Sequence, residues 1–300
     1  MTTRPMLLAL MAAAAGLACV VVTGDTDLPE TALLARADDW STKVTSGHFA
    51  FRTESTFLDD PRTNSVGETE IWFDAGRSRL NERVERPHAQ QAEMQREERV
   101  RIFDGTNVIE GSPEHPDHMT VLEVEDLAEL PRYTSIGHAS RLFGDLIGPA
   151  FNHGLPLGDG IAAWGGRLVG KEELAGLECF HFEAPPRAVP KDATIVHHWW
   201  LASAKGCALV QSSEEITWAP SHGTALRRNV TTVEEWEEGP EGIWAPKVGK
   251  HQVFITARGG AEELKRVDRT ELTLAEFNIS IPSETFRLEP PLQSQGEPSG

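Results

Sequence analysis

Apolar and polar residues alternate along most of this chain. From Gly47 onward, Phe49, Phe51, Thr53, Ser55 and Phe57 share one face, and His48, Arg52 and Glu54 the other, the period of two of a half-buried strand. After Asp59-Asp60-Pro61, the stretch Gly67–Phe73 sets Thr69, Ile71 and Phe73 against Glu68 and Glu70. Asp74-Ala75-Gly76 marks a turn, and Arg77–Val84 returns with Leu80 and Val84 inward. Val100–Phe103 leads into Asp104-Gly105, a two-residue hairpin signal, and Val108-Ile109 follows it. Met119–Val124 predicts one more short strand.

The centre of the chain, Trp164–Trp218, has a different texture. It predicts strands over Arg167–Leu174, Leu177–Glu183, Ile195–Ala202 and Cys207–Trp218, with turns at Ala175-Gly176 and Lys205-Gly206 and a Pro-rich break between the second and third. Both faces of the middle strands carry large side chains. Phe180 and Phe182 oppose Leu177, Cys179 and His181, and Ile195, His197, Trp199 and Leu201 oppose Val196, His198 and Trp200. A sheet covering a single core alternates apolar with polar, so this wall is expected to meet a core on one side and a cavity or partner on the other. Ala225–Glu235, Ile243–Ala257 and Glu263–Glu276 are long strand-like stretches, and Pro282–Pro291 reads as extended.

Helical spacing occurs at Leu33, Leu34, Ala37, Trp40 and Val44, and again around Leu142, Leu146 and Ile147 before Gly148-Pro149. The polar Pro87–Glu98 predicts an exposed loop or short helix, and the Gly-rich Gly154–Gly160 a loop. About eleven strands without βαβ alternation predict a mainly β fold, a large curved antiparallel sheet forming an unclosed half-barrel with a few capping helices.

The ends of the 300-residue chain add export to this picture. Arg4 is the only charge before Asp25, and Met6–Val22 is an apolar run ahead of Thr23-Gly24. That is the layout of a secretory signal peptide over residues 1–24. The run of 17 residues is short for a retained span of about 20. Gly16-Leu17-Ala18-Cys19 leaves lipidation at Cys19 as another option. The domain is expected over 25–291, with a disordered Ser/Gln/Gly/Pro tail over 292–300. Cys179 and Cys207 remain after cleavage. Oxidising surroundings would permit a disulfide, but two strands of separation, about 9–10 Å, favours buried thiols.

The net charge of −18 excludes nucleic acid as partner, since no basic cluster is present to neutralise phosphates. Among the 11 histidines, Glu114-His115-Pro116-Asp117-His118 is the densest group of ligand atoms. With no second cluster to complete a tetrahedral set, it reads as a solvated loop. His197 and His198 are adjacent in a strand and point to opposite faces. Neither a Gly-x-Ser-x-Gly elbow nor His-Glu-x-x-His occurs, and Glu234–Glu238 beside Gly239-Pro240 reads as a charged strand end. The expectation is therefore a protein without catalytic residues, cofactor or metal.

Taken together, four stretches give the chain a recognisable outline. They are Gly47-His-Phe-Ala-Phe behind the first helix, the hairpin Gly67–Leu80, the Asp-Gly hairpin Arg101–Ile109, and the pair Lys171–Phe180 with Trp200–Gly206. With the ending Phe277–Pro291, they resemble the LolA-like superfamily of periplasmic lipoprotein carriers and outer-membrane lipoprotein-sorting proteins. The resemblance implies a half-barrel whose apolar concavity holds acyl chains or a lipidated peptide, in the periplasm or cell envelope. It also admits an envelope sensor that docks a protein partner. The side chains expected to line the concavity are Phe49, Phe51, Trp72, Trp199, Trp200, His197 and His198. The reading is an exported, non-enzymatic binding protein for a lipid, acyl chain or lipoprotein anchor. The alternative is an envelope sensor or interaction module, with a metal-dependent enzyme third.

Overall fold

The strands of this chain add one after another to a single sheet. The computed structural model describes residues 28–74, 76–87, 94–115, 118–126, 142, 154–189, 192–219 and 224–287. The expected leader, Cys19, the expected 292–300 tail and all of the second expected helix except Leu142 lie outside them. Helix α1 (Glu30–Thr42) precedes a meander of β1 (Ser46–Phe57), β2 (Ser65–Asp74), β3 (Arg77–Pro87), β4 (Met94–Phe103), β5 (Asn107–Gly111) and β6 (Thr120–Glu123). Helix α2 (Leu157–Ala163) opens the second half. There follow β7 (Arg167–Leu174), β8 (Leu177–Glu183), β9 (Arg187–Val189), β10 (Ala193–Ala202), β11 (Ala208–Trp218), β12 (Thr224–Glu238), β13 (Trp244–Ala257) and β14 (Glu262–Phe277).

The order β6-β5-β4-β3-β2-β1-β14-β13-β12-β11-β10-β8-β7, with β9 on β10, makes a 14-stranded antiparallel sheet that does not close into a barrel. The two meanders join where β1 pairs with β14, Gly47 opposite Phe277 and Phe57 opposite Arg266. Bulges interrupt the ladders at Ala50/Phe51, at Val253/Phe254, at Trp200/Leu201 and at three places between β12 and β13. Each extra residue bends and twists its strand, which is how so wide a sheet curls.

The turns follow their residues. Asp104 Oδ1 accepts the N–H groups of Thr106 and Asn107 at 2.9 and 2.8 Å, tightening the β4–β5 hairpin. Ala175 and Gly176 take φ values of 53° and 76°, the positive pair that a two-residue turn needs between twisted strands.

Register defines two faces. The inner face carries α1, α2 and Leu142. Leu33, Leu34 and Ala37 of α1 pack with Leu157 and Ile161 of α2 on Phe180, Phe182, Leu201 and Leu209. Burying each of these leucines contributes about 1.5–3 kcal/mol. The outer face of β2, β4 and β5 is covered at one end by the chain's own C-terminal segment, where Ile281 and Phe286 pack with Val100, Ile102 and Trp72.

Four expectations need correction. Pro87–Glu98 is neither loop nor helix at its ends: Pro87 pairs with Met94 and Arg83 with Glu98, so β3 and β4 form one long hairpin. Its polarity reflects ion pairs along the ladder, such as Arg86 with Glu97 and Arg96 with Glu98. Gly154–Gly160 is in part helix, and Gly158 in it serves a close approach. A Cβ on Gly158 would overlap the Leu34 carbonyl oxygen and stand 2.8 Å from its carbon. Asp38 Oδ1 accepts the Gly158 N–H at 2.6 Å and the Asp159 N–H at 3.3 Å, so α1 supplies the cap that α2's own N-terminus lacks. The Pro-rich break holds β9. The expected extended ending has a 3-10 turn at Ser283–Phe286, held by Arg79 Nη1 donating to Thr285 O at 3.1 Å and by Arg77 lying over Phe286.

Candidate functional site on the inner face

The inner face is divided between two chemistries. Its apolar part is a floor of Phe49, Phe51, Ile71, Phe73, Leu80, Val233 and Leu272, joined by Phe277. Phe49 lies 5.8 Å from Phe73 in parallel stacking and meets Phe277 edge-on at 5.1 Å. Alternation along β1 and the pairing of Phe49 with Ile71 and of Phe51 with Leu272 bring these side chains together.

One step further along the same strands, the floor turns polar. Thr53 follows Phe51, Thr69 follows Ile71, Thr270 follows Leu272 and Thr231 follows Val233, all on the inner face. Register sets them on successive rungs, a diagonal row with Thr69 beside Phe51, Thr53 beside Thr270, and Thr231 beside His251 one rung on. Thr53 Oγ1 and Thr270 Oγ1 are 3.0 Å apart, and Thr231 Oγ1 is 2.9 Å from His251 Nδ1. Asn229 Nδ2 donates to Glu214 Oε1 at 2.7 Å, and Glu214 Oε2 lies 4.0 Å from His197 Nε2.

Asp268, opposite His251, is 3% exposed. Its Oδ1 accepts from Arg266 Nε at 2.6 Å, whereas its buried Oδ2 has no hydrogen-bond partner among the described residues. A buried acceptor left unmatched destabilises by about 1–3 kcal/mol, so this oxygen is a place where a further donor would be stabilising. His197 Nε2 is likewise buried and unmatched among the described residues.

Leu142 sits at the junction of floor and row. It belongs to the floor's cluster, and it fits because residue 249 is glycine. A Cβ there would collide with Leu142 Cδ1, stand 2.7 Å from its Cδ2, and lie 2.8 Å from the Thr232 carbonyl oxygen.

The seven expected lining residues divide between the faces. Phe49 and Phe51 are in the floor, and His197 and Trp199 lie on the same face farther along, His197 packed 4.2 Å from Trp164. Trp72, His198 and Trp200 point outward. Trp72 stacks on His48 at 4.7 Å, and Trp200 on His181 at 4.5 Å. Adjacent strand residues cannot share a wall, so Trp199 and Trp200, like His197 and His198, serve opposite surfaces. The pattern missed Thr270, His251 and Asp268. Each is an unremarkable polar residue in its own strand, and only the pairing aligns it with Thr53 and Thr231.

Burial pushes the His197 ring pKa below its usual value, against the smaller opposing pull of Glu214. Folded His197 therefore binds a proton more weakly than unfolded His197. Its contribution to stability is complete above the unfolded pKa of about 6.5 and is lost as pH falls below it. The urea midpoint is expected to drop between pH 7 and pH 5, with a shallower drop in His197→Gln. Equal slopes in the two proteins would contradict this.

An open cleft of about 670 Å³ is lined by Ala50, Arg52, Glu68, Glu70, Arg79 and Asn81, which point away from the inner face, and reaches Phe51 and Thr69 at its edge; its lining is charged. Cys179 and Cys207 are both buried thiols, and burial pushes the Cys179 thiol up to about 11, which leaves it unreactive at neutral pH. No helix among the described residues is long and apolar enough to cross a membrane.

No protein-family model matches the chain, and no curated protein matches it. Among solved structures it is similar to a DUF1329 family protein from Desulfovibrio piger, with a TM-score of 0.47 and 10% identity over 86% of this chain and 95% of that one. It is similar also to a LolA superfamily protein from Nitrosomonas europaea, with a TM-score of 0.45 and 11% identity over 87% and 99%. A third is a domain from Vibrio parahaemolyticus assigned to outer membrane lipoprotein sorting, with a TM-score of 0.46 and 9% identity over 86% and 97%. These structures include members of the group that the sequence resembles.

Proposed function

We propose that the chain is an exported, non-enzymatic binding protein that holds an amphiphile, an acyl chain with its polar end, against the inner face of the sheet. The observation that carries this reading is the boundary on that face, where the phenylalanine floor gives way to a row of hydroxyls, an imidazole and a carboxylate. An acyl chain lying on the floor would gain about 0.8 kcal/mol for each buried methylene. Its polar end would meet Thr53, Thr270, His251 and Asp268, where the Asp268 Oδ2 offers an acceptor to a hydroxyl or amine. The leader-like run Met6–Val22 supports export to the cell envelope, where lipids and lipidated proteins supply such ligands.

In this reading Leu142 occupies the ligand's place and leaves when the ligand arrives. Removing it removes an internal competitor whose burial is worth about 1.5–3 kcal/mol. Leu142→Ala is therefore expected to bind a fluorescent fatty acid about 10-fold or more tightly than the parent chain, measured by titration and by displacement with unlabelled fatty acid. Solvent extraction and mass spectrometry of the purified chain should also recover a co-purifying lipid. If neither protein binds the probe and no lipid is recovered, the reading is wrong.

A further inference from the structure

On the outer face, far along the sheet from the floor, two histidines from different strands meet. In the β8–β10 ladder His181 pairs with Trp200 and Glu183 with His198. His181 and Glu183 are two residues apart on β8, as are His198 and Trp200 on β10, so the four side chains form a square on one face. His181 Nε2 and His198 Nδ1 are 3.2 Å apart. A Glu183 carboxylate oxygen lies 3.8 Å from His198 Nδ1, and one ligand-type atom from each of the three residues falls within 4.8 Å of the others.

The spacing suits a metal ion. Two nitrogens each about 2.0–2.1 Å from a tetrahedral zinc are about 3.3 Å apart, close to the separation of these two rings. The Glu183 side chain is 44% exposed and free to swing the remaining distance.

The surroundings of His181 point the same way. Its other ring nitrogen, Nδ1, lies 2.8 Å from Glu172 Oε1, and Glu172 Oε2 accepts from Trp200 Nε1 at 2.9 Å. A carboxylate accepting from Nδ1–H fixes the tautomer that leaves the Nε2 lone pair facing His198. Metal-bound histidines are commonly supported by such a carboxylate. His181 itself is 8% exposed, so the ring is held in place before any ion arrives.

We propose that His181 Nε2, His198 Nδ1 and a carboxylate oxygen of Glu183 bind a divalent transition-metal ion of the zinc class, with Glu172 as the residue that orients His181. Two imidazoles favour zinc, copper or nickel over calcium or magnesium, which prefer all-oxygen sets. Without metal, His198 Nδ1–H donates to His181 Nε2. On binding, His198 adopts the tautomer protonated at Nε2, which frees Nδ1 as a ligand. Three protein ligands leave the fourth tetrahedral position to water or to a group on a partner. The ion would cross-link β8 to β10, with β7 held through Glu172. The site is on the face opposite the proposed amphiphile floor, so its test is independent of ligand binding there.

The test is a titration of the chelator-treated full chain with Zn2+ by calorimetry, alongside quenching of tryptophan emission by Cu2+, since Trp200 stacks on His181. One ion per chain is expected. His198→Ala and His181→Ala should each weaken binding by 100-fold or more, and Glu172→Gln by about 10–100-fold, with far-UV circular dichroism unchanged. Zn2+ should also raise the melting temperature of the parent chain and leave that of His198→Ala unaltered. If His181→Ala does not fold, His198→Ala and Glu172→Gln decide the matter. The proposal is overturned if the parent chain shows no saturable 1:1 binding, or if binding survives in His198→Ala. It is overturned equally if binding disappears only on replacing His115 and His118.

Discussion

Replacing Phe49 with alanine is expected to destabilise the chain by about 3–5 kcal/mol, the usual range for deleting a buried phenyl ring. Phe49 has no exposed surface and stacks within 5.8 Å of Phe73 and 6.4 Å of Phe51, with Phe277 edge-on at 5.1 Å. Aromatic pairs of this kind add about 0.5–1.5 kcal/mol beyond their buried area. The ring also fills the space beside Gly47, where a Cβ would overlap Phe49 Cε2 and stand 2.9 Å from the Glu276 carbonyl oxygen. β1 and β14 are thereby locked side by side where the two meanders join. With a urea slope of about 3 kcal/mol/M, the midpoint should fall by about 1 M or more. Phe49→Leu, which keeps most of the volume, should cost far less and still weaken binding of an acyl probe. A Phe49→Ala midpoint within about 0.3 M of the parent's, at the same slope, would mean that the floor is not a packed unit.

A second large loss is expected at Gly158. A methyl group there meets the main chain of α1 at Leu34, along with Asp38 Oδ1 at 2.9 Å. Backbone cannot rotate away as a side chain can, so α2 must move off α1. Overpacking of this type costs about 1–3 kcal/mol, and displacement of α2 would also withdraw its two N–H groups from Asp38, a cap worth about 1 kcal/mol. Gly158→Ala should therefore lose about 2–4 kcal/mol. Gly160→Ala, in the same helix but with nothing within 4 Å of its Cβ position, should be neutral or slightly stabilising. Thermal melts of the two variants side by side provide the comparison. Similar losses at both positions would show that helix propensity, and not the α1–α2 contact, governs this region.

The two glycines show where sequence reading stops. Both sit in a run that looks like a loop, and only the proximity of Leu34 distinguishes Gly158 from Gly160. Pro87–Glu98 is a similar case. Its polar residues lack the apolar alternation of a half-buried strand because Arg and Glu pair across β3 and β4 above solvent, and a strand needs no core of its own when its ladder continues. Most other strands were legible, because a period of two with Gly, Asp and Pro at the breaks reports local geometry directly.

For the candidate site, the sequence alone determined that Phe49 and Phe51 share the face of Thr53 and Ser55. It determined also that His197 and His198 must part, since side-chain direction in a strand follows from residue parity. What lies opposite each of them was decided only by tertiary structure. Pairing β1 with β14 across more than 200 residues sets Thr53 against Thr270, and the register of β13 with β14 sets His251 against Asp268 one step further on. The same pairing of β8 with β10 sends Trp200 and His198 outward, onto His181. Parity is a property of one strand, whereas register belongs to two, and the chemistry of both faces is written in register.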